Sequence, residues 1–223
     1  MSARDAILSR IRRSLGVDGG DIGRRAIVIS RLDSPPRGVV PARGQLPEHV
    51  RIDLFCLMAE KVSASITRVA SEAEIPGAVA AYLRDRNLPA AIRMGDDPLL
   101  TGLPWQSTPQ IEIARGPADG KDAVSLSHAL AAVAESGTIV LASGPDNPTT
   151  LNFLPETHIV VLAGADVAGD YESVWDVVRA RYGKSQMPRT VNMITGPSRS
   201  ADIEQTILLG AHGPRRLHLV IIG

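Results

Sequence analysis

Short apolar runs alternate with helix-like segments through most of this chain, and this alternation restricts its fold more than any other feature of the sequence. Turn residues flank the runs, as they flank buried strands. The strand candidates are 67–70, 90–94, 111–114, 123–126, 138–142, 158–163, 191–195 and 217–222. The helix candidates are 48–66, 76–86, 127–134, 171–182 and 201–209. Since helices usually connect parallel strands, the pattern predicts an α/β domain with a mainly parallel sheet flanked by helices.

The first 47 residues follow a different pattern, so we expect two parts in the chain. Ile7, Ile11 and Leu15 recur at helical spacing, which predicts a short amphipathic helix over 3–15. Glycine and proline then recur up to residue 47, which predicts a linker or loop with a short strand at 26–29. The α/β domain is expected to span 48–223.

The balance of charge excludes several classes of function. Lysine plus arginine and aspartate plus glutamate both number 24, so no net field attracts nucleic acid or an acidic membrane. Aromatic residues make up 3%, which leaves few side chains on which bases stack. Residues 2–16 carry dispersed arginines instead of an uninterrupted apolar core, and no span of about 20 apolar residues occurs. We therefore expect a cytoplasmic protein that binds neither nucleic acid nor membranes.

The cysteine and histidine content limits the cofactors that we expect in this chain. Cys56 is the single cysteine, which excludes an internal disulfide and a four-cysteine iron–sulfur cluster. His49, His128 and His218 form no metal-ligand pattern, and no Gly-x-Gly-x-x-Gly fingerprint follows a predicted strand. We expect neither a metal nor a cofactor in this chain.

The segment 195–202 is the strongest candidate for a ligand site. It follows one apolar run and precedes the helix candidate 201–209, so it is predicted to be a turn at a helix N-terminus. Gly196 permits a positive φ, Ser198 and Ser200 supply hydroxyls, and Arg199 supplies a fixed charge. Helix N–H groups would point into the same space, which favours an anion.

Together with Pro197 and Asp202, these residues predict a site for a small carboxylate or phosphate-bearing ligand. The alternative is an ordinary capped turn, in which Asp202 and Gln205 form a capping box. A second loop, 142–149, also follows a predicted strand. Ligands of parallel sheets collect beyond the carboxyl ends of the strands, so we expect the two loops to share one crevice.

Three ordered segments of the chain resemble the LUD-domain family. They are 134–141 (AESGTIVL), 154–161 (LPETHIVV) and the run from Gly196 through 210–214 (GAHGP) to the last strand. The resemblance is strongest over 123–223, and the chain length suits the short, C-type members. It implies a fold similar to glucosamine-6-phosphate deaminase, ribose-5-phosphate isomerase and CoA-transferases. It also implies a part in oxidising L-lactate to pyruvate with two iron–sulfur partner proteins, which would hold the clusters.

Glu135 and His158 are the candidates for chemistry. In the similar CoA-transferase fold a glutamate near a glycine-rich turn acts as nucleophile, which implies that role for Glu135, with Gly137 and Thr138 facing the ligand. The alternative is a solvated glutamate at a helix C-terminus that Gly137 ends. His158 could accept the C2 hydroxyl proton of a 2-hydroxy acid if it faced Arg199; otherwise the backbone satisfies it.

His212 is expected to cap the C-terminus of the 201–209 helix. That position lies one helix length from Arg199, so the two residues would not touch one ligand unless the chain folds back or a second subunit supplies the histidine.

Three functions stay open at this point. The first is a component of a lactate-oxidising system that binds a small anion between 195–202 and 135–149. The second is a stand-alone CoA-transferase-like or isomerase-like enzyme that uses Glu135. The third is a non-catalytic scaffold whose N-terminal helix and loop dock the iron–sulfur proteins. The apolar stripe of that helix could equally dock on its own domain or on another copy of the chain, as in a homo-oligomer.

Overall fold

The structure, a computed structural model, describes residues 2–183, 186–203, 206–210 and 212–223, with the backbone alone for 200–203 and 206–209. The helices in these ranges are α1 (Ala3–Ser14), α2 (Ile22–Asp33), α3 (Glu48–Lys61), α4 (Ile75–Asp85), α5 (Pro98–Gly102) and α6 (Tyr171–Tyr182). The strands are β1 (Ser65–Val69), β2 (Ala91–Met94), β3 (Glu112–Arg115), β4 (Val124–His128), β5 (Ala131–Val133), β6 (Thr138–Ala142), β7 (Thr157–Ala163), β8 (Val167–Ala168), β9 (Val191–Ile194), β10 (Arg199–Ile203), β11 (Thr206–Leu209) and β12 (Arg216–Ile222). No helix in the described ranges is long and apolar enough to cross a membrane.

A six-stranded sheet in the order β1-β12-β7-β4-β2-β3 forms the centre of the α/β domain, and all of its neighbouring strands are parallel. This confirms the α/β class with a mainly parallel sheet. Strand β7 shows why the sequence predicts this sheet. Ile159 and Val161 pack on one face of the sheet with α4, while Val160 and Leu162 pack on the other with α3. A strand that is buried on both faces is apolar throughout.

A second sheet of four strands, in the order β8-β5-β6-β9, packs against the α3 side of the first sheet. Its outer face is covered by Val174 and Val178 of α6. The predicted helix at 127–134 is wrong, because this segment forms the end of β4, a turn and β5. Ala131 and Ala132 are fully buried there, so close packing between elements overrides the helix propensity of alanine.

The segment after Arg199 is a β-hairpin, so the predicted helix at 201–209 is also wrong. Strands β10 and β11 pair antiparallel, with Arg199 opposite Leu209. A helix of nine residues would be marginal in water without a packed face, and β-branched residues such as Ile203 and Thr206 suit a strand.

The N-terminal residues form a unit of their own. Contacts divide the chain into units Met1–Val39 and Val40–Gly223, where the sequence places the boundary at residue 47. Helix α1 agrees with the predicted helix and begins with a capping box between Ser2 and Asp5. The strand predicted at 26–29 is wrong, since these residues lie within α2. The Asp21 side chain caps that helix, and apart from Gly23 the glycines and prolines of residues 16–47 lie outside it.

Candidate functional site

The Gly196–Arg199 turn connects β9, in the four-stranded sheet, with the hairpin of β10 and β11. Gly196 has φ +74°, as the sequence predicts. A Cβ atom there would overlap the carbonyl oxygen of Val62, the residue that follows α3. Only glycine fits this position without movement of the backbone. The turn is therefore fixed against the end of α3.

The chain folds back at the hairpin, which brings His212 to the turn. The Ser198 N–H donates to the Pro214 carbonyl over 2.8 Å, and the Gly210 N–H donates to the Ser198 carbonyl over 2.9 Å. The His212 N–H donates to Ser198 Oγ over 3.3 Å. The prediction that His212 caps a helix far from Arg199 is therefore wrong, because two short antiparallel strands return the chain where a helix would have carried it away.

A cavity of about 310 Å³ lies at this junction, and we call it the turn cavity. Residues 195–199 line it together with Asn152, His158 and His212. Arg199 is exposed, its Nη2 donates to Ser63 Oγ over 3.3 Å, and no aspartate or glutamate of the described chain lines the cavity. The formal charge of its wall is therefore positive, which favours an anion.

Two buried polar side chains of the turn cavity carry atoms that lack hydrogen-bond partners. Asn152 is 1% exposed, and neither of its amide atoms has a partner in the described chain. His158 is also 1% exposed; its Nε2 lies 3.0 Å from Ser127 Oγ, whereas its Nδ1 has no partner. An unpaired buried polar group costs about 1–3 kcal/mol. A polar ligand that reached these atoms from the cavity would remove that cost.

Burial lowers the pKa of His158 to about 3. The imidazole is therefore neutral near pH 7, and it is a weak base, because a good proton acceptor has a pKa near the operating pH. This disfavours the proton-accepting role that the sequence suggests for His158 and favours a hydrogen-bonding one.

Glu135, Gly137 and Thr138 lie outside the turn cavity. Glu135 and Gly137 are in the turn between β5 and β6, and Thr138 begins β6. Glu135 is 5% exposed, so the solvated alternative is wrong, and its Oε2 lies 3.8 Å from Arg43 Nε. Gly137 has φ +67°, and a Cβ atom there would overlap the backbone of α3. Its positive φ serves a hairpin turn in place of the predicted helix end.

Of Glu135, Gly137 and Thr138, Thr138 contacts the segment 195–199. Its Oγ1 lies 2.7 Å from Thr195 Oγ1 and 2.9 Å from the Tyr171 hydroxyl. The two threonines meet because β6 pairs antiparallel with β9. The hydrogen bond between Thr138 and Thr195 therefore holds the residue that precedes the Gly196–Arg199 turn.

The loop 142–149 does not share a crevice with 195–202, so that expectation is wrong. Ala142, Asp146 and Asn147 line a separate cavity of about 750 Å³. The turn cavity includes His158, near the amino end of β7, while the larger cavity includes Asp166, beyond its carboxyl end. The error comes from treating β9 as a member of the parallel sheet, whereas it pairs antiparallel with β6 in the second sheet.

Some predicted features lie outside the described residues. These are the side chains of Ser200 and Asp202, and the capping partner Gln205. Asn152 is the residue that sequence reasoning missed, because a lone asparagine in a turn carries no signal beyond turn formation. Groups of three or more histidine, cysteine, aspartate or glutamate residues that could hold a metal ion are absent from the described part of the chain.

Comparison with solved structures identifies the class of fold. The crystal structure of a DUF162 family protein from Deinococcus radiodurans superposes with a TM-score of 0.60, at 22% sequence identity. The superposition covers 80% of this chain and 99% of that chain. At this identity the likeness establishes the fold alone.

Comparison of sequences identifies the family. The model of the LUD domain matches residues 52–222, so this chain belongs to the LUD-domain family. Lactate utilization protein C of Geobacillus sp. (strain WCH70) is 36% identical over 91 residues, which cover 40% of this chain and 38% of that protein. Lactate utilization protein C of Bacillus subtilis (strain 168) is 34% identical over 91 residues, with the same coverage. The matched part thus spans about two fifths of these relatives.

Proposed function

We propose that this protein is a component of a lactate-utilisation system, in which it binds a small carboxylate or phosphate-bearing ligand in the turn cavity. The role is supported by membership of the LUD-domain family and by the similarity to two proteins named lactate utilization protein C. The ligand class is supported by the cavity itself, which combines a positive wall with buried polar groups that lack partners.

The size and charge of the cavity favour a small anion. Ligand pockets commonly enclose about 300–1,000 Å³, so 310 Å³ suits a ligand at the small end of that range. Arg199 has no carboxylate partner among the described residues, and its planar guanidinium matches a carboxylate or phosphate. A ligand carboxylate would bind Arg199 beside the backbone of the Gly196–Arg199 turn.

The inner end of the cavity would recognise the rest of the ligand. Asn152 offers both a donor and an acceptor, and neutral His158 offers its Nδ1. Both suit a hydroxyl or carbonyl oxygen, such as the 2-oxygen of lactate or pyruvate. Buried neutral groups of this kind orient a ligand and exclude water, so the proposed role of this chain is binding.

The removal of electrons from lactate is assigned in this proposal to two iron–sulfur partner proteins. Cys56 is the single cysteine of the 223 residues, and Arg68 Nη2 lies 3.2 Å from its sulfur. A cluster held by four cysteines therefore needs another chain. We place the system in the cytoplasm.

Substitution of Arg199 tests the ligand assignment. Arg199→Ala should weaken the binding of L-lactate, pyruvate or inorganic phosphate, measured by isothermal titration calorimetry, by at least about tenfold, because a charge-assisted hydrogen bond contributes ~1.5–3 kcal/mol. We take the low end of this energy range because Arg199 is exposed to solvent. Arg84→Ala removes an exposed arginine of α4 and should leave the affinity unchanged. Equal affinities for the wild type and Arg199→Ala would remove the assignment.

A scaffold role is the second candidate, and the N-terminal unit favours it. Helices α1 and α2 contain no buried residue, and Ile7, Ile11, Leu15 and the apolar residues of α2 are exposed. An apolar stripe of this kind suits the surface of a partner protein. Ile7→Asp with Ile11→Asp should abolish co-purification with the iron–sulfur proteins and leave ligand binding intact, whereas retained co-purification would remove this role.

The Glu135-dependent transferase or isomerase lacks comparable support. Glu135 lines neither the turn cavity nor the larger cavity, and its carboxylate faces Arg43.

A further inference from the structure

The cavity of about 750 Å³ lies at the carboxyl edge of the parallel sheet, and we call it the edge cavity. Three adjacent strands each supply one of its polar residues. His128 ends β4, Asp97 follows β2 by three residues, and Asp166 follows β7 by three residues. Side chains beyond neighbouring parallel strands converge on one space, which is where α/β proteins bind ligands. Strand β7 has seven residues, so about 20 Å separate this edge from the turn cavity.

Asp97 and His128 form an oriented pair in the wall of the edge cavity. Asp97 Oδ1 accepts the N–H of Leu100 over 3.1 Å and so caps α5, while Oδ2 lies 3.1 Å from His128 Nδ1. The cap alone needs one oxygen, and the second oxygen holds the imidazole. No described residue bonds to His128 Nε2. The side chain of His128 is 23% exposed, so a ligand reaches it.

The ionisation of Asp97 decides which nitrogen of His128 carries the proton. Burial would raise the pKa of Asp97, but the hydrogen bond and the charge of His128, together with the backbone N–H groups of Leu100 and Leu99, outweigh it and hold this pKa below its usual value. An ionised Asp97 can only accept hydrogen bonds, so a neutral His128 beside it carries its proton on Nδ1 and donates it to Asp97. Nε2 is then the free acceptor, as in other carboxylate–histidine pairs.

The charge of the edge cavity is opposite to that of the turn cavity. Asp97, Asp146 and Asp166 line it, while Arg181 contributes the one arginine among the described lining residues and lies 3.5 Å from Asp146. With neutral histidine the formal charge is negative by two. Asn147 also lines the cavity, and its buried Oδ1 has no partner in the described chain. An anion is repelled here, whereas hydroxyl and ammonium donors find acceptors.

We propose that the edge cavity is a second ligand site of this protein, for a polyhydroxylated molecule without an acidic group, and that His128 accepts a proton from a ligand hydroxyl. The ligand O–H bond breaks and leaves its electron pair on the oxygen, and an N–H bond forms at Nε2. Asp97 and Asp166 stabilise the resulting imidazolium. Return of the proton from Nε2 to the same ligand oxygen completes the cycle, so the step needs no oxidant or reductant.

The first test measures the tautomer of His128 by ¹⁵N nuclear magnetic resonance of the histidine-labelled full chain, with the signal assigned by a His128→Gln variant. The proposal requires the Nδ1–H tautomer in the wild type. Asp97→Asn should keep the cap, because asparagine is an equally good N-cap, but its NH₂ group then faces His128 and should shift the proton to Nε2. An Nε2–H tautomer in the wild type would overturn the proposal, as would an unchanged tautomer in Asp97→Asn.

The second test adds sorbitol, glucamine or gluconate at millimolar concentration, three six-carbon polyols that are neutral, cationic and anionic. Sorbitol and glucamine should shift the His128 signals, and gluconate should not. Equal shifts with gluconate, or no shift with any of the three, would overturn the proposal. His158 and His212 report on the turn cavity in the same spectra, so a failure at one cavity is distinguished from a failure at the other.

Discussion

Acidification below pH 6.5 is expected to destabilise the fold through two buried histidines. His158 is 1% exposed and His218 is 2% exposed. Burial lowers the pKa of His158 to about 3. Burial also lowers the pKa of His218 to about 4, with a further decrease from the charge of Arg86 and an opposing hydrogen bond at Ser65. Both rings must therefore stay neutral in the folded protein.

The sign and size of the effect follow from proton linkage. Below the ordinary histidine pKa of 6.5 the unfolded chain binds protons that the folded chain refuses, so stability is complete above pH 6.5 and is lost as the pH falls towards 4. A pH of about 5 lies about 1.5 pH units below the ordinary histidine pKa. Each histidine therefore lowers the free energy of unfolding there by ~2 kcal/mol, and the two together lower it by ~4 kcal/mol. This is a large share of the ~5–15 kcal/mol that a typical domain has. The pKa of Asp97 is lowered from 3.8, so protonation of this carboxylate reduces stability only at pH values below the range in which the two histidines act.

Urea unfolding from about pH 7.5 down to about pH 4.5, followed by the fluorescence of Trp105 and Trp175, measures this loss of stability. His158→Gln should remove about half of the pH dependence, and His218→Phe, which keeps a ring against Tyr82, should remove the other half. His49→Gln alters an exposed histidine of α3 and should reproduce the wild-type curve. An unfolding free energy that stays constant between pH 7 and 5 would refute the linkage, as would equal slopes in the wild type and both buried-site variants.

The remaining predictions concern glycines of the α/β domain. Gly196→Ala should lower the free energy of unfolding by ~2–5 kcal/mol, the sum of ~1–2 for a side chain at positive φ and ~1–3 for overlap with the Val62 carbonyl. Gly116 has φ +98° with no atom near its Cβ position, so Gly116→Ala should cost only the conformational part, ~1–2 kcal/mol. Equal costs in urea unfolding would show that the Val62 contact is unimportant. Gly77→Ala in α4, where space is open, should raise stability by up to about 1 kcal/mol, and a decrease would contradict the helix propensity argument.

The central sheet was predictable because its strands carry a local signal. Strands buried on both faces, such as β7 and β12, are nearly continuous apolar runs in the sequence, and the helices between strands show apolar residues at helical spacing. Segment α6 was recognised at its exact bounds for the same reason. The family resemblance likewise depends on sequence alone.

The errors fall where tertiary contacts override local preference. The alanine-rich segment around β5 has a high helix propensity, but small side chains also allow close packing in the second sheet. The segment around Arg199 has a glycine before it and polar residues after it that suit a helix start, yet the residues from Arg199 pair as a hairpin. Neither pairing partner can be identified from the segment itself.

The candidate sites divide in the same way. The sequence by itself determined the turn chemistry of Gly196–Arg199 and the α/β class, because backbone conformation and apolar periodicity are local properties of the chain. Only the tertiary structure decided that His212 and Asn152 join the turn, that Glu135 does not, and that the loop 142–149 belongs to a separate cavity of opposite charge. Residues far apart in sequence meet through strand pairing and burial, and these depend on the whole chain.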